Sequence, residues 1–525
     1  MKIVTIWYFA LLVLVQIAGA PAADAATMDR SAFGTTAAVD RARRLWVAYA
    51  QPAGEQGQVV LQRSDDSGAT WQPPMRVNAV PEPVAAEGEN RPKLAFGPGG
   101  EIYVTWTSPT SAQFTGDIHF ARSLDAGKTW SAPAVLHHDR QLITHRFESL
   151  IVDPQGRLWA AWIDKRDLAV AEGAGRSYRG AAIYYAYSDD HGATWSKDTK
   201  LADSSCECCR IALAVNPQGR VAAMWRHVFE PNERDHAFAL LGSPTVAVER
   251  ATFDRWRVDA CPHQGPSLVF GPDGTRHAVW FNQVDGQGRA FYGQLTKQGP
   301  SGVRPLPAGA THADIAAVGS RVAVAWKRFD GSVTKIESLV SNDAGHTFEP
   351  GPSLQTAGES DQPRLVTSGQ RMLLVWRKAE GIASVVVGLK PDLQVRPFNR
   401  ETLATIEQQH ARSPFWLVLW DLECPYCMKS LSNLAAAQRS DPQLQVVTVA
   451  TDPIDSAEEI AARLAQLGVR SEAYAFGDAP REALQYAIDA TWLGEKPRAY
   501  HYGVDGQRET LSGVIQLPTR SHRNP

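Results

Sequence analysis

Four copies of one short pattern, Ser-x-Asp-x-Gly-x-Thr-aromatic, constrain the fold of this chain more than any other feature. The copies are residues 64–71, 123–130, 188–195 and 341–348. In each copy the Asp side chain can accept hydrogen bonds from N–H groups of its own turn, and the Gly supplies a positive φ. The final aromatic ring is free to return to the sheet. We therefore interpret the four copies as turns between strands.

A second repeat alternates with the first. It consists of an apolar strand, a Pro-x-Gly turn and another apolar strand that contains a large aromatic residue near its end. The copies are marked by Tyr49, Trp106, Trp162, Trp225, Trp280, Trp326 and Trp376. Their spacing of about 46 to 63 residues suits one four-stranded sheet per copy. This pattern predicts a closed all-β ring of sheets.

Together the two repeats resemble the Asp-box propellers of the sialidase superfamily, over roughly residues 30–395. The resemblance implies a β-propeller. Sialidases have six blades, whereas this sequence has seven copies of the second repeat. We therefore expect six or seven blades.

The pattern changes near residue 396 and predicts a second, α/β domain over residues 396–520. The apolar strand Pro414–Trp420 leads into Cys424-Pro-Tyr-Cys427 and then into a helical stretch. A later amphipathic helix stops at Gly468, and a hairpin follows with its turn at Asp505-Gly506. A C-x-x-C pair between a buried strand and a helix is typical of a redox-active dithiol.

This segment resembles the thioredoxin superfamily, most closely its exported reductases. The resemblance implies that Trp420 is the family's tryptophan and that Pro497 lies in the cis-proline loop facing the sulfurs. Cys424 at a helix N-terminus is the expected attacking sulfur, and Cys427 the resolving one. Glu423 replaces the family's usual Trp, and its charge should raise the pKa of the neighbouring nucleophile.

Four further cysteines lie in the propeller segment. They are Cys206, Cys208, Cys209 and Cys261, with His263 two residues beyond the last. They precede the first strands of consecutive blades, so we expect them to meet on one face near the axis. Three alternatives remain open: structural disulfides, redox thiols served by the second domain, and a soft-metal site for Cu(I) or Zn. No other cofactor follows from the sequence.

Polar residues are expected on the same face in other blades. They form either a binding surface or a solvated rim. The candidates are Arg91, Arg146, Arg210, Asp164, Arg226 and His312. The sialidase resemblance implies an arginine triad, with its first member in a Phe/Tyr-Arg-Ile-Pro motif. That motif is absent from the sequence.

Residues 1–25 predict a cleaved signal peptide, because Met1-Lys2 precedes an apolar run and then small residues. The mature protein should then be periplasmic or secreted, with no membrane span. A net charge of -3 without a long basic run argues against nucleic acid as a partner.

The sequence favours an exported thiol-disulfide oxidoreductase that acts on protein thiol or disulfide clients. The propeller would serve as a docking or soft-metal-handling platform. The alternatives are a sialidase-like glycoside hydrolase with a redox appendage, and a non-enzymatic binding propeller. These hypotheses differ in which part of the chain carries the activity, the C-x-x-C pair or the propeller.

Overall fold

The computed structural model describes most of the chain after residue 32. The described ranges are residues 33–243, 247–260, 262–284, 286–388, 393–411, 413–505 and 507–516. The predicted signal peptide, Cys261 and Gly506 lie outside the described residues. Within these ranges, no helix has the length and apolar character needed to cross a membrane.

Residues 36–387 form seven antiparallel sheets in chain order. Sheets one to three contain β1 (Thr36–Val39), β2 (Leu45–Ala53), β3 (Gln56–Ser64) and β4 (Met75–Arg76); β5 (Lys93–Phe96), β6 (Ile102–Pro109), β7 (Gly116–Ser123) and β8 (Ala134–Val135); and β9 (His145–Val152), β10 (Leu158–Asp164), β11 (Ala181–Ser188) and β12 (Thr199–Ser205). A short helix, α1 (Arg166–Gly173), follows β10.

Sheets four to seven continue the pattern, the sixth with a fifth strand and the seventh with three strands. They contain β13 (Ala212–Val215), β14 (Val221–Arg226), β15 (His236–Leu240) and β16 (Glu249–Arg250); β17 (Ser267–Phe270), β18 (Arg276–Val284), β19 (Gln287–Thr296) and β20 (Gly299–Pro305); β21 (Thr311–Val318), β22 (Arg321–Phe329), β23 (Thr334–Ser341), β24 (Glu349–Pro350) and β25 (Leu354–Thr356); and β26 (Arg364–Ser368), β27 (Arg371–Lys378) and β28 (Gly381–Val387).

The seven sheets are the blades of a β-propeller. The first strands of neighbouring blades contact one another, and β1 contacts β26, which closes the ring. Each of the seven marker aromatics lies in the second strand of a blade and is at most 6% exposed. The count of that repeat therefore equals the number of blades, and of the two predicted numbers, six and seven, seven is confirmed.

The Asp-box turns have the predicted geometry. In the first box, Ser64 Oγ accepts the Gly68 N–H (2.7 Å), and Gly68 has a φ of 94°. Asp66 accepts the backbone N–H of Thr70 (2.8 Å) and its hydroxyl (2.6 Å). The three other boxes repeat these bonds. The motif is thus a self-contained turn, as the sequence indicates.

Strand direction gives the ring two distinct faces. Each Asp-box begins at the end of a third strand, which runs parallel to the first strand of its blade. The Asp-boxes therefore lie on one face, here named the Asp-box face. The segments that enter the first strands lie on the opposite face, here named the channel face.

The C-terminal part contains a six-stranded mixed sheet flanked by helices. Its strands, in sheet order, are β29 (Val395–Phe398), β32 (Glu472–Phe476), β31 (Gln445–Pro453), β30 (Phe415–Trp420), β33 (Arg498–Tyr502) and β34 (Arg508–Ser512). The first four strands are parallel to one another, and β33 pairs antiparallel with both of its neighbours, β30 and β34. The helices are α2 (Thr402–Gln409), α3 (Pro425–Ser440), α4 (Ala457–Leu467) and α5 (Arg481–Ile488). Gly468 ends α4 with a φ of 75°, as predicted.

Gln466, on α4, connects this C-terminal domain to the propeller. Its buried amide donates to the carbonyl oxygens of Ser67 in the first blade (3.0 Å) and Ser384 in the last blade (3.3 Å). Arg371 of the last blade donates to the Gln466 carbonyl oxygen (2.8 Å). The domain therefore docks on the Asp-box face, across the junction of the first and last blades, here named the seam.

Candidate redox site and channel face

The cysteine pair lies at the start of α3. Cys424 and Cys427 form a disulfide with their Cα atoms 5.2 Å apart, and Cys424 is the N-cap residue of the helix. Its Sγ accepts the Cys427 N–H (3.0 Å). Cys427 is fully buried, whereas Cys424 is partly exposed. Cys424 is therefore the sulfur that a partner from solvent can reach.

The two other predicted members of the redox site lie on neighbouring strands. Pro497 is buried and follows a cis peptide bond just before β33, and Cys424 Sγ lies 3.9 Å from the Lys496 carbonyl oxygen. Trp420 ends β30 and is fully buried. The fold thus brings all four predicted residues of this site to one end of the sheet.

Asp421 is a site residue that the sequence reasoning missed. One of its carboxylate oxygens lies within 4.8 Å of the sulfurs of Cys424 and Cys427. The carboxylate forms an ion pair with Lys496, whose ammonium also donates to Thr451 Oγ1 (3.1 Å). Its position directly after a buried strand and three residues before the first cysteine was the available signal. Glu423, by contrast, is exposed to solvent.

The propeller cysteines converge on the channel face between β12 and β13. The Sγ of Cys206 lies 3.8 Å from that of Cys208 and 3.7 Å from that of Cys209. All three side chains are at most 4% exposed. Among the described residues, the group of metal-binding atoms here contains only these three sulfurs, and His263 is exposed outside it.

Two arginines lie beside this cysteine cluster. Arg234 donates to the Cys206 sulfur (3.4 Å), and the Cys206 N–H donates to the Arg226 carbonyl oxygen (2.9 Å). Hydrogen bonds from Cys208 and Cys209, with the nearby guanidinium charges, hold the pKa of Cys206 well below its ordinary value. Burial raises the pKa of Cys209. The cluster therefore favours a negative charge on Cys206.

The predicted channel-face arginines are buried and bonded to the protein, so they do not form a solvated rim. Arg91 is 1% exposed, pairs with Asp361 (3.2 Å) and donates to the Thr35 carbonyl oxygen (2.8 Å). Arg146 is buried and pairs with Glu87. These guanidinium groups join blades to one another, because each partner comes from a different part of the ring.

Glu89 lies at the centre of a second such network and was also missed. It accepts the N–H groups of Arg210 (2.9 Å) and Gly265 (2.7 Å). Burial alone would raise the pKa of Glu89, but the charges of Arg210 and His312 lower it to about 2. The only sequence signal was its position two residues before Arg91.

The two remaining predicted residues are also buried. Asp164 accepts hydrogen bonds from Trp162 Nε1 (2.8 Å) and Arg166 (2.7 Å). Arg226 is 1% exposed and donates to Asn282 Oδ1 (2.8 Å). Neither residue offers an exposed group to a ligand.

A cavity of about 700 Å³ opens on the channel face beside these networks. His312, Lys327, Phe329, Glu359 and Asp361 are among the residues that line it. Burial lowers the pKa of Lys327, while the charge of Asp361 opposes this effect. The cavity therefore combines carboxylates, a cation and an aromatic ring.

Comparison with known protein families identifies one repeat of the propeller. The BNR/Asp-box repeat family matches residues 186–197, which include the third Asp-box. No curated protein matches the chain.

Several solved structures are similar in fold. An α-L-arabinofuranosidase from Fusarium graminearum is 14% identical (TM-score 0.39), and the match covers 57% of this chain and 89% of the other. A PL25 ulvan lyase is 11% identical (TM-score 0.43), with 67% and 91% covered. A leech intramolecular trans-sialidase is 10% identical (TM-score 0.39), with 65% and 82% covered. At these identities the likeness concerns the fold alone.

Proposed function

We propose that the C-terminal domain is a thioredoxin-like thiol-disulfide oxidoreductase and that the propeller is the platform that positions its client. One observation carries this proposal: a disulfide at a helix N-terminus pairs a partly exposed Cys424 with a fully buried Cys427. Unpaired N–H groups at a helix N-terminus stabilise a thiolate. Solvent access makes Cys424 the nucleophile.

The exchange balances in two steps. In the reduced enzyme, the Cys424 thiolate attacks a client disulfide, forms a mixed disulfide and releases one client thiolate. Cys427 then attacks the Cys424 sulfur, re-forms the internal disulfide and releases the second client thiolate. The client gains two electrons, and the dithiol pair loses them. A dithiol reductant must then restore the pair, and the reverse steps oxidise a client dithiol.

Asp421 has the position of a proton acceptor in the second step. Cys427 is buried and must lose its proton before it attacks. The Asp421 carboxylate lies within 4.8 Å of its sulfur. Lys496 holds that carboxylate in place through their ion pair.

The oxidoreductase proposal is tested by trapping. Cys427→Ser should accumulate mixed disulfides through Cys424 when the reduced protein meets a disulfide client such as insulin. Cys424→Ser is the matched control and should trap far less, because its remaining sulfur is buried. Equal trapping by both variants, or a Cys424 that alkylating reagents do not modify in the reduced protein, would contradict the assignment.

The second candidate is cleavage of a glycoside or polysaccharide on the channel face. The cavity favours it, because Glu359 is exposed in its lining and a carboxyl group in such a position can serve as acid or base. The buried pairing of Arg91 weighs against recognition of a sialic acid carboxylate by that residue. Sialosides, arabinosides and ulvan form the substrate panel, with Glu359→Gln as the test variant. No turnover of any of them by the wild-type protein would remove this candidate.

A further inference from the structure

The cysteine cluster of the propeller has the dimensions of a metal–thiolate site. Cys206 Sγ lies 3.8 Å and 3.7 Å from the other two sulfurs, and all three lie within 4.8 Å of one another. A point equidistant from such sulfurs lies about 2.2 to 2.4 Å from each, which brackets the ~2.3 Å of a Zn–S bond. An ion at that point would therefore reach all three sulfurs without moving the backbone.

The positive charges of Arg226 and Arg234 beside the cluster favour an anionic group at this position. Arg226 is 1% exposed, and its guanidinium donates to uncharged groups such as Asn282 Oδ1 (2.8 Å); Arg234 donates to the Val258 carbonyl oxygen (2.6 Å) as well as to Cys206. A buried guanidinium without an opposite charge is costly. Arg234 points one N–H at the Cys206 sulfur (3.4 Å). Three thiolates around a monovalent cation carry a charge of −2, which the two arginines balance.

We propose that Cys206, Cys208 and Cys209 are thiolate ligands of one Cu(I) ion. Clustered thiolates select soft ions such as Cu(I) and Zn. The charge of the site favours Cu(I), because three thiolates around a divalent Zn ion would carry a charge of −1 and leave one arginine unbalanced. This site is separate from the Cys424–Cys427 pair and does not depend on the oxidoreductase proposal.

The test uses the full mature chain with Cys424→Ser and Cys427→Ser, so that the C-terminal pair cannot bind copper. After anaerobic reduction, Cu(I) is titrated in competition with bathocuproine disulfonate. This protein should bind one Cu(I), and X-ray absorption should show at least three sulfur ligands. Adding Cys206→Ser and Cys209→Ser should weaken binding at least 100-fold.

A second variant distinguishes loss of the Cu(I) site from loss of Cu(I) binding through misfolding. Arg234→Met leaves every cysteine in place and should weaken Cu(I) binding roughly tenfold, because the site loses one balancing charge. Circular dichroism and thermal melting of each variant establish that the propeller is folded. Cu(I) binding that survives removal of Cys206 and Cys209 would overturn the proposal, as would a Zn ion with four ligands that Cu(I) does not displace.

Discussion

Replacing Gln466 with Ala should destabilise the seam by about 3 kcal/mol. The side chain is 2% exposed, and its amide donates one hydrogen bond to each of two blades. Each bond contributes about 1 kcal/mol, and the Ser384 carbonyl, in a residue 6% exposed, loses a further ~1 kcal/mol when left without its donor. Because Gln466 contacts both blades, the loss should affect the propeller as well as the C-terminal domain.

Urea unfolding followed by tryptophan fluorescence measures this effect, since six blades carry a buried marker tryptophan and the first blade carries the buried Trp46. Gln445→Ala is the matched control, because Gln445 is exposed and bonds only to the nearby Gln443 (3.4 Å). The control should stay within about 0.5 kcal/mol of the wild type. If Gln466→Ala also stays within that limit, the seam contacts do not stabilise the ring and the reasoning is wrong.

Three further predictions concern the Asp-boxes and the redox pair. Hydrogen bonds donated by Thr194 lower the pKa of Asp190 to about 2, which is below its value of ~4 in the unfolded chain. The stability that this carboxylate adds is therefore present above pH ~4 and lost towards pH 2, so the melting temperatures of wild type and Asp190→Asn should converge there. Gly192→Ala should destabilise the protein more than Gly175→Ala does. Both glycines have a positive φ, but only at Gly192 would an added Cβ lie 2.3 Å from the Phe120 ring. Equal losses of stability in chemical denaturation would refute this prediction. Asp421→Asn should slow release from the mixed disulfide about 10- to 100-fold near neutral pH, and an unchanged stopped-flow rate would exclude its role as proton acceptor.

Local patterns in the sequence predicted the elements of the propeller. An Asp-box closes hydrogen bonds over at most four residues, so its geometry follows from its own residues. The buried aromatics of the second strands number seven, one for each blade, whereas the sialidase resemblance implied six. The strand predicted at Pro414–Trp420 likewise forms Phe415–Trp420, because a short continuous apolar run suits a strand that is buried on both faces of a parallel sheet.

The environment of the charged residues could not be predicted in the same way. Arg91 pairs with Asp361, which is 270 residues away in sequence, so nothing local shows that its guanidinium is buried. Glu89 binds backbone N–H groups of two other blades. Such contacts depend on closure of the whole ring. The sequence therefore located the polar residues on the channel face but not which of them would be exposed there.

The docking position of the C-terminal domain has a kinetic consequence. The domain sits on the Asp-box face at the seam, whereas Cys206, Cys208 and Cys209 lie on the channel face at the entry to the fourth blade. While the seam contacts hold, Cys424 cannot reach those sulfurs in its own molecule. Electron exchange between the two cysteine groups would then require a collision of two molecules. The exchange would be second order in protein, so the rate per molecule would fall in proportion to concentration on dilution. The rate per molecule of an exchange within one molecule would not change on dilution.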